Sequence, residues 1–556
     1  MISLALALRY DRKLTETLPS GVCIFMLLAY LLGISGHISH ITELLLLYEA
    51  SGIAYGLYHI LVKKKKDITD PFMDPGIPVM ILILTAAWFL SLHMRVTNFD
   101  DFHSWAITPK DIFYVNGLPT GGMASTFYRD YFPVVYFMDF LMFRLLGRFS
   151  ESAMFFVLWA LMIISLSEFF HRRKEDDVIR YILRVSAGIM LPFLFSFQFL
   201  HCLGTDILAA TFFGAAMIYI MKEDPDDHGT GGTAFFYIRL VPLITVLAML
   251  KTTSAVLTAV CVMLYCVRFL HPKQVSSWLK AALLPACSVA FWLSWKIFCS
   301  VKGNTTYLSD NLNNNLTQGS AGIPYYAAST IKDFISRLFT YGLNDGTTGL
   351  TSGIIVLIFV GAFAVYIREN GRTLRNVLAP VTILLGMTGY LLMMIYVYLF
   401  VFEEWEALSL SSYDRYIATY FGAMLCLVLY MLYRSKIMPS WGGIMLALVL
   451  AFTINYPYVA RTMIPSAYEK EFGGVIESID AIEEEFLAAS GGMPGYGESI
   501  LAVDHTRDQL RAKVIPYAAV PGVTRLVQPD ENGKMPDEAE IREMADEYDA
   551  RIIELK

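Results

Sequence analysis

An uninterrupted apolar segment occupies residues 378–401, which read LAPVTILLGMTGYLLMMIYVYLFV without one charged side chain. A helix needs about 20 apolar residues to cross a bilayer, so the segment predicts a transmembrane helix. Arginines precede it and glutamates follow it. They are Arg368, Arg372, Arg375, Glu403, Glu404 and Glu406. Because short cytoplasmic loops are enriched in Lys and Arg, we expect the segment to begin at the cytoplasmic side.

The composition extends this interpretation to the whole chain. Of its 556 residues 56% are hydrophobic and 17% charged, and the mean hydropathy is +0.51. Soluble domains are about a quarter charged, so we predict an all-α polytopic membrane bundle. The net charge of −7 argues against a nucleic-acid partner. The seven cysteines lie mostly in apolar stretches without metal-ligand spacing and are typical of small core residues.

The same criterion predicts about thirteen transmembrane helices along the chain. They fall at 18–36, 41–62, 77–95, 152–170, 181–200, 206–221, 235–250, 253–270, 279–298, 350–367, 378–401, 415–433 and 441–457.

Basic residues in the short loops fall on one side of this succession, for example Lys63–Lys66 after the second span and Arg172–Lys174 after the fourth. A further span at 130–147 would reverse that bias, so we interpret 130–147 as a juxtamembrane or re-entrant helix at the outer face. The loops 96–151 and 299–349 are then outside the cytoplasm.

Three regions follow from this topology. Residues 1–76 carry two extra transmembrane helices, 77–457 form the transmembrane core, and 458–556 lie outside as a small soluble α/β domain. Within that domain we predict helices at about 466–489 and 536–548 and strands at 499–504, at VTRLVQ and at RIIEL.

The first outer loop opens with two adjacent carboxylates, Asp100 and Asp101. A carboxylate at the membrane boundary can act as a general base on an acceptor hydroxyl, because partial desolvation raises its pKa. The alternative is a solvated loop, with Trp105 in the aromatic belt. His103 is a metal-ligand candidate, although a lone histidine is more often only hydrogen-bonded.

Three cations near the outer boundary are candidate phosphate ligands: Arg129, Lys251 and Arg415. Each has a structural alternative. Arg129 can pair with Asp130, Lys251 can extend its ammonium to the interface, and Arg415 can pair with Asp414. Further cleft candidates stand beside these cations. They are His103, Trp105, Asp206, for which helix capping is the simpler explanation, Glu404 and Tyr416.

The exceptional charges thus cluster at the outer boundary. A secondary transporter places its functional charges near the bilayer midplane, often on broken helices. The pattern favours an enzyme that acts on a lipid-linked substrate from the outer side.

Four short motifs carry a family resemblance. They are Asp100-Asp101 in the first outer loop, Tyr131 to Tyr136 with the apolar run to Gly147, Leu250-Lys251-Thr252-Thr253 between two middle spans, and Arg415-Tyr416 at the start of a late span. In order and sidedness they resemble the GT-C superfamily of polytopic glycosyltransferases, which includes protein O-mannosyltransferases and lipid A aminoarabinose transferases. The resemblance covers about residues 77–457, with one proline where the family often has two and no glycine after Lys251.

The resemblance implies inverting transfer of a hexosyl or pentosyl group from a polyprenyl-phosphate donor to an extracytoplasmic glycan, lipid or protein. Asp100 or Asp101 would be the base, and Arg415, Lys251 and Arg129 would bind the donor phosphate. It leaves a divalent metal open and places the chain in a bacterial cell membrane. The alternatives are a polymerase or ligase that uses polyprenyl diphosphates and a non-enzymatic lipid or polysaccharide transporter.

Overall fold

The computed structural model describes most of the chain, namely residues 1–62, 70–172, 176–195, 198–223, 230–306, 322–343, 349–530 and 533–555. The predicted basic run Lys63–Lys66, part of the Arg172–Lys174 run and much of the predicted outer loop 299–349 lie outside these residues.

The first seven helices cover the two extra N-terminal transmembrane segments, the predicted third span, the first outer loop and the start of the next span. They are α1 (Ile2–Tyr10), α2 (Leu14–Ile34), α3 (Ile41–Leu61), α4 (Gly76–Ser91), α5 (Ile107–Val115), α6 (Tyr136–Leu146) and α7 (Glu151–Ser165). The eleven residues of α6 rise only about 16 Å, which is too short for a hydrocarbon core of about 30 Å. The prediction that 130–147 is no span agrees with this length. We expected the polar side of this helix to face the membrane–water interface. Asp139 is buried, however, so that side of α6 packs against the rest of the protein.

The next helices build the centre of the bundle. They are α8 (Ser167–Phe170), α9 (Val178–Met190), α10 (Gln198–His201), α11 (Asp206–Lys222), α12 (Thr230–Ala248), α13 (Ser254–Phe269) and α14 (Val275–Lys302). The prediction of one continuous span at 181–200 is wrong. Helix α9 ends at Met190 and a short 3₁₀ turn with Pro192 follows, because proline lacks the N–H that an α-helix needs.

The remaining bundle helices are α15 (Ala327–Thr340), α16 (Ser352–Asn370), α17 (Leu374–Phe400), α18 (Glu404–Ser409), α19 (Tyr413–Arg434), α20 (Ser440–Thr453) and α21 (Tyr456–Met463). Among the described residues, six helices are long and apolar enough to cross a membrane, or seven if the bent pair α20–α21 is one span. Four shorter apolar helices add to them. The chain is therefore a multi-pass membrane protein, while the count of about thirteen stays a prediction.

Helices α11 and α19 lie side by side at the core of the bundle. Every residue of α11 from Asp206 to Met221 is buried. Gly214 makes the close approach possible, since a Cβ there would stand 2.7 Å from the Cβ of Cys426 on α19. The two helices run in the same direction, so their N-terminal ends, with Asp206 and Arg415, meet at one end of the bundle.

The C-terminal domain has the predicted elements, α22 (Pro465–Ser490), β1 (Ser499–Asp504), α23 (Gln509–Ala519), β2 (Val523–Val527), α24 (Glu538–Glu547) and β3 (Arg551–Leu555). Its three strands form a parallel sheet in the order β2-β1-β3. The domain is anchored on the first outer loop. Arg95 pairs with Asp480 at 2.8 Å, and Lys110 Nζ donates to the carbonyl of Tyr517 at 2.9 Å.

A buried ionic group that the sequence did not predict lies at the end of the bundle opposite to Asp206 and Arg415. Lys222 Nζ is 3.0 Å from both Glu16 and Glu168, and Arg239 pairs with Glu168. The pattern along the sequence had indicated that the exceptional charges lie only at the outer boundary. The structure shows that buried charges lie at both ends of the bundle. Pairing makes these charges tolerable inside the bundle.

Candidate functional site

A single turn of π-helix at Asp101–Trp105 shapes the start of the first outer loop. Such turns are rare and are frequent at functional sites. The side chain of Asn98 accepts a hydrogen bond from the Asp100 amide at 3.0 Å just before the turn. Asp100 lies just before this turn and Asp101 is its first residue, so their side chains point in different directions and have different surroundings.

Asp101 is fully buried and points into the protein. Its Oδ1 accepts a hydrogen bond from the amide of Leu203 at 3.0 Å and one from Cys202 Sγ at 3.3 Å. Burial raises the pKa of Asp101 to about 8, although the hydrogen bond from Leu203 opposes the shift. Asp101 therefore holds the segment that leads into α11.

Asp100 keeps 47% of its side chain exposed and forms a 2.7 Å ion pair with Arg415 Nη1. Partial burial alone would raise the pKa of Asp100, but the charges of Arg415 and Lys251 outweigh it and hold that pKa below its ordinary value. Of the two predicted carboxylates, Asp100 is the one that a ligand can reach.

Arg415, Lys251 and Asp206 meet below Asp100. Lys251 Nζ lies 2.6 Å from Asp206 Oδ1, and Arg415 Nε lies 3.3 Å from Asp206 Oδ2. We call Asp100, Asp206, Lys251 and Arg415 the ionic cluster. The alternative in which Lys251 simply extends to the interface is excluded, because its ammonium turns inward to Asp206. Helix capping likewise fails to describe Asp206, which is a buried counter-ion of two cations.

The ionic cluster contains two unsatisfied atoms. Arg415 Nε and Asp206 Oδ2 form an ion pair outside hydrogen-bonding geometry, and among the described residues neither atom has a hydrogen-bond partner. A buried guanidinium N–H without an acceptor is costly in the free protein. It is a donor that a ligand oxygen can satisfy.

Tyr416 closes one side of the ionic cluster. Lys251 Nζ lies 4.4 Å from the centre of its ring and the guanidinium carbon of Arg415 lies 5.5 Å from it. Cations over an aromatic face are stabilised by the ring quadrupole. The chain reaches this position through Leu410 and Ser412, whose φ angles of 53° and 57° are unusual for residues with side chains. Such strained backbone is characteristic of functional sites.

Other predicted residues lie apart from the ionic cluster. Arg129 Nε donates to the carbonyl of Thr126, and Asp130 pairs with Lys296 at 3.3 Å, so the alternative of an Arg129–Asp130 pair does not hold among the residues that the structure describes. Glu404 is exposed and accepts a hydrogen bond from Tyr325.

His103 and Trp105 belong to the wall of the site. His103 packs on Phe127 with ring centres 4.9 Å apart, and burial lowers the pKa of His103 to about 4, with Lys513 adding to the effect. His103 is therefore neutral near pH 7. Trp105 is buried against Tyr131, which excludes the alternative of a solvated loop with Trp105 in the aromatic belt. Among the described residues, no three His, Cys, Asp or Glu side chains are grouped so that they could hold a metal ion.

Sequence reasoning missed Lys513, which the C-terminal helix α23 brings to the site. It is half-buried and forms no ion pair with the residues that the structure describes. Burial lowers the pKa of Lys513, and the charge of Asp100 opposes the shift. Phe102 packs on Tyr517, one turn further along α23, with ring centres 5.1 Å apart. Only this tertiary contact relates Lys513 to Asp100.

No family model and no curated protein matches the chain. Solved structures are similar to it over most of its length. One is the crystal structure of ArnT from Cupriavidus metallidurans bound to undecaprenyl phosphate, with 11% identity and a TM-score of 0.46 over 86% of this chain and 89% of that chain. The likeness concerns the fold.

Two further similar structures come from Archaeoglobus fulgidus. The oligosaccharyltransferase in complex with zinc and sulfate has 11% identity and a TM-score of 0.44 over 85% of this chain and 67% of that chain. Archaeal oligosaccharyltransferase AglB in complex with an inhibitory peptide and a dolichol-phosphate has 10% identity and a TM-score of 0.43, over 86% and 69% of the two chains.

Proposed function

We propose that the chain is a membrane glycosyltransferase that moves a sugar from a polyprenyl-phosphate donor to an acceptor hydroxyl outside the cytoplasm. The observation that carries the proposal is the pair Asp100–Arg415. An exposed carboxylate is held 2.7 Å from a buried guanidinium, and that guanidinium still has an unsatisfied N–H.

The donor phosphate binds at Arg415 and Lys251. Guanidinium and ammonium groups are the usual partners of phosphate. Arg415 Nε has only a 3.3 Å ion pair with Asp206 and no hydrogen bond within the described residues, so a phosphate oxygen can satisfy it. Phosphate competes with Asp100 for Arg415. Binding of the donor therefore releases the Asp100 carboxylate and weakens the electrostatic effect that keeps its pKa low.

Asp100 then acts as the general base. The acceptor oxygen attacks the anomeric carbon while the bond from that carbon to the phosphate oxygen breaks. Asp100 takes the acceptor proton, and the leaving phosphate keeps the electron pair and is stabilised by Arg415 and Lys251. Asp101 is a positioning residue in this scheme, since it is buried and occupied by Leu203 and Cys202.

The C-terminal domain contributes to the acceptor side. Lys513 interacts electrostatically with Asp100 and lacks an ion pair within the described part of the chain. A cation there orients an acceptor that has a polar or anionic group next to its reacting hydroxyl. Arg129, which lies away from the ionic cluster near Asp111 and Arg525, is less suited to the donor phosphate than Arg415 and Lys251.

The test is a transfer assay on the purified full chain with a panel of labelled sugars on polyprenyl phosphate and on polyprenyl diphosphate. We expect product with a monophosphate donor and, for Asp100→Asn, a loss of about 10²–10⁴-fold. Asp333→Asn, an exposed aspartate on α15, is the matched control and should keep full activity. Product only from diphosphates would favour the polymerase or ligase alternative, and full activity of Asp100→Asn would exclude Asp100 as the base.

A further inference from the structure

A cavity of about 1150 Å³ lies at the end of the bundle opposite to the ionic cluster. Helices α11 and α19 connect the two places, since Asp206 and Arg415 stand at their N-terminal ends and Lys222 and Arg434 at their C-terminal ends. The nineteen positions from Arg415 to Arg434 correspond to about 29 Å along a helix. The cavity is therefore separate from the proposed catalytic site.

The lining of this cavity is basic. Five cationic side chains line it against two acidic ones. They are Lys222, Arg268, Arg375, Arg434 and Lys436, with Glu223 and Glu369. We refer to it as the basic cavity. It lies at the end that the loop charges predict to face the cytoplasm.

Arg268 on α13 is a built part of the basic cavity. It is only 3% exposed, and its Nη1 donates to Tyr366 Oη and to Asn376 Oδ1, both at 2.9 Å. Its Nε has no hydrogen-bond partner among the described residues. A buried, oriented guanidinium with an unsatisfied N–H can donate a hydrogen bond to an anionic oxygen at little cost in side-chain entropy.

Two cations, Arg434 and Lys436, lie at the rim of the basic cavity. Arg434 and Lys436 are exposed and form no ion pair with any residue in the described ranges. The acidic residue nearest to them in the lining, Glu369, is occupied by Ser435 Oγ at 2.7 Å and by the amide of Ile437 at 2.8 Å. Lys222 is neutralised by Glu16 and Glu168, but the other four cations of the lining still exceed Glu223 and Glu369, so the cavity presents an excess of positive charge.

An apolar stripe leads away from the basic cavity along α17. Leu374 lines the cavity and is 73% exposed, and Leu378, Val381 and Leu385 continue along the same face with 38%, 44% and 66% exposure. Their spacing of three to four residues puts them in one row on the helix surface. A phospholipid whose phosphate lies in the cavity can thus place its acyl chains along this row, in contact with the bilayer.

We propose that the basic cavity binds the phosphate headgroup of an anionic phospholipid, with its acyl chains along the α17 stripe. Basic pockets between transmembrane helices are suited to such headgroups. A soluble phosphate would use the same cations but would make no use of the stripe. The site is independent of the glycosyl transfer proposed above.

The test is native mass spectrometry of the purified full chain titrated with phosphatidylglycerol, with phosphatidylcholine and with inorganic phosphate. The double variant Arg434→Gln/Lys436→Gln removes the two rim cations. The matched control is Arg368→Gln/Arg372→Gln, which removes two exposed arginines from the same end of the bundle outside the cavity lining.

We expect phosphatidylglycerol to bind at one saturable site, and its affinity to fall about tenfold or more in the rim variant and less than about twofold in the control. Equal losses in the two double variants would overturn the proposal, because they would show only general attraction by surface charge. Displacement of the lipid by millimolar inorganic phosphate would equally overturn it, in favour of a free anion site.

Discussion

Asp100 and Arg415 are 315 positions apart in the chain and form a 2.7 Å ion pair. One partner is half exposed and the other is buried, so the pair joins the solvent-accessible face of the site to its interior. Arg415 also contacts Asp206. A donor phosphate must therefore compete with Asp100 for the guanidinium, and this competition is the basis of the first prediction.

Asp100→Asn should separate donor binding from transfer. The variant removes the competing carboxylate, so the proposed polyprenyl-phosphate donor should bind up to about fivefold more tightly, because a half-exposed ion pair is worth about 0–1 kcal/mol. Transfer should be lost in the same variant. Binding is measured by native mass spectrometry or by a lipid-dependent shift of the melting temperature. Weaker lipid binding in Asp100→Asn would contradict the competition between carboxylate and phosphate.

Asp101→Asn should alter the pH dependence of stability. The pKa of Asp101 is about 8 in the folded chain and about 3.9 in an unfolded one, so between these values the folded state holds a proton that the unfolded state has released. The free energy of unfolding must then fall as pH rises from about 4 to 8, by at most about 1.4 kcal/mol per pH unit for this group. The asparagine variant lacks this term.

Melting curves of the wild type and of Asp101→Asn at pH 5 and pH 8 measure this difference. The gap in stability between the two proteins should shift in favour of the variant as the pH is raised. A gap independent of pH would show that Asp101 is ionised in the fold. Retained transfer by Asp101→Asn would support its positioning role.

Arg415→Gln should lower stability as well as activity. It leaves Asp206 with one cation instead of two, and removal of one partner from a buried ionic group costs about 3–5 kcal/mol. The double variant Arg415→Gln/Asp100→Asn should recover part of that loss, because it removes the carboxylate that Arg415→Gln leaves unpaired, while Asp206 keeps its ion pair with Lys251.

A double-mutant cycle of these variants, followed by denaturant unfolding and by transfer assay, distinguishes the two roles of Arg415. We expect stability to be partly restored in the double variant while donor binding and transfer stay lost. If donor binding, measured by native mass spectrometry, returned together with stability, Arg415 would only support the fold.

Lys513→Gln should affect the acceptor more than the donor. Its ammonium lies near Asp100 and His103 on the C-terminal side of the site, so the variant should raise the KM for an acceptor with an adjacent anionic group and change kcat less. Steady-state kinetics with the acceptor varied at saturating donor measures this split. Lys470→Gln, an exposed lysine on α22, is the control. Equal effects of the two substitutions on the KM would remove Lys513 from the site.

Local patterns determined the helices and strands of this protein. The apolar runs place α2, α3, α14, α16, α17 and α19 within a few residues of their predicted bounds, and alternation and turn residues place all three strands of the C-terminal domain. These features depend on neighbouring residues only. The predicted span 181–200 is the exception. Its helix ends at Met190, and a hydropathy average does not detect the end of a helix before Pro192.

The tertiary structure alone decided the chemistry of the site. Asp100 and Asp101 are adjacent and identical in type, yet one faces the cleft and the other is buried against Leu203, because a π-turn and a distant segment set their surroundings. Asp206 and Arg415 meet only because α11 and α19 pack along each other. The charge state and partners of an ionisable group depend on burial and on residues hundreds of positions away, which a local pattern of residues does not contain.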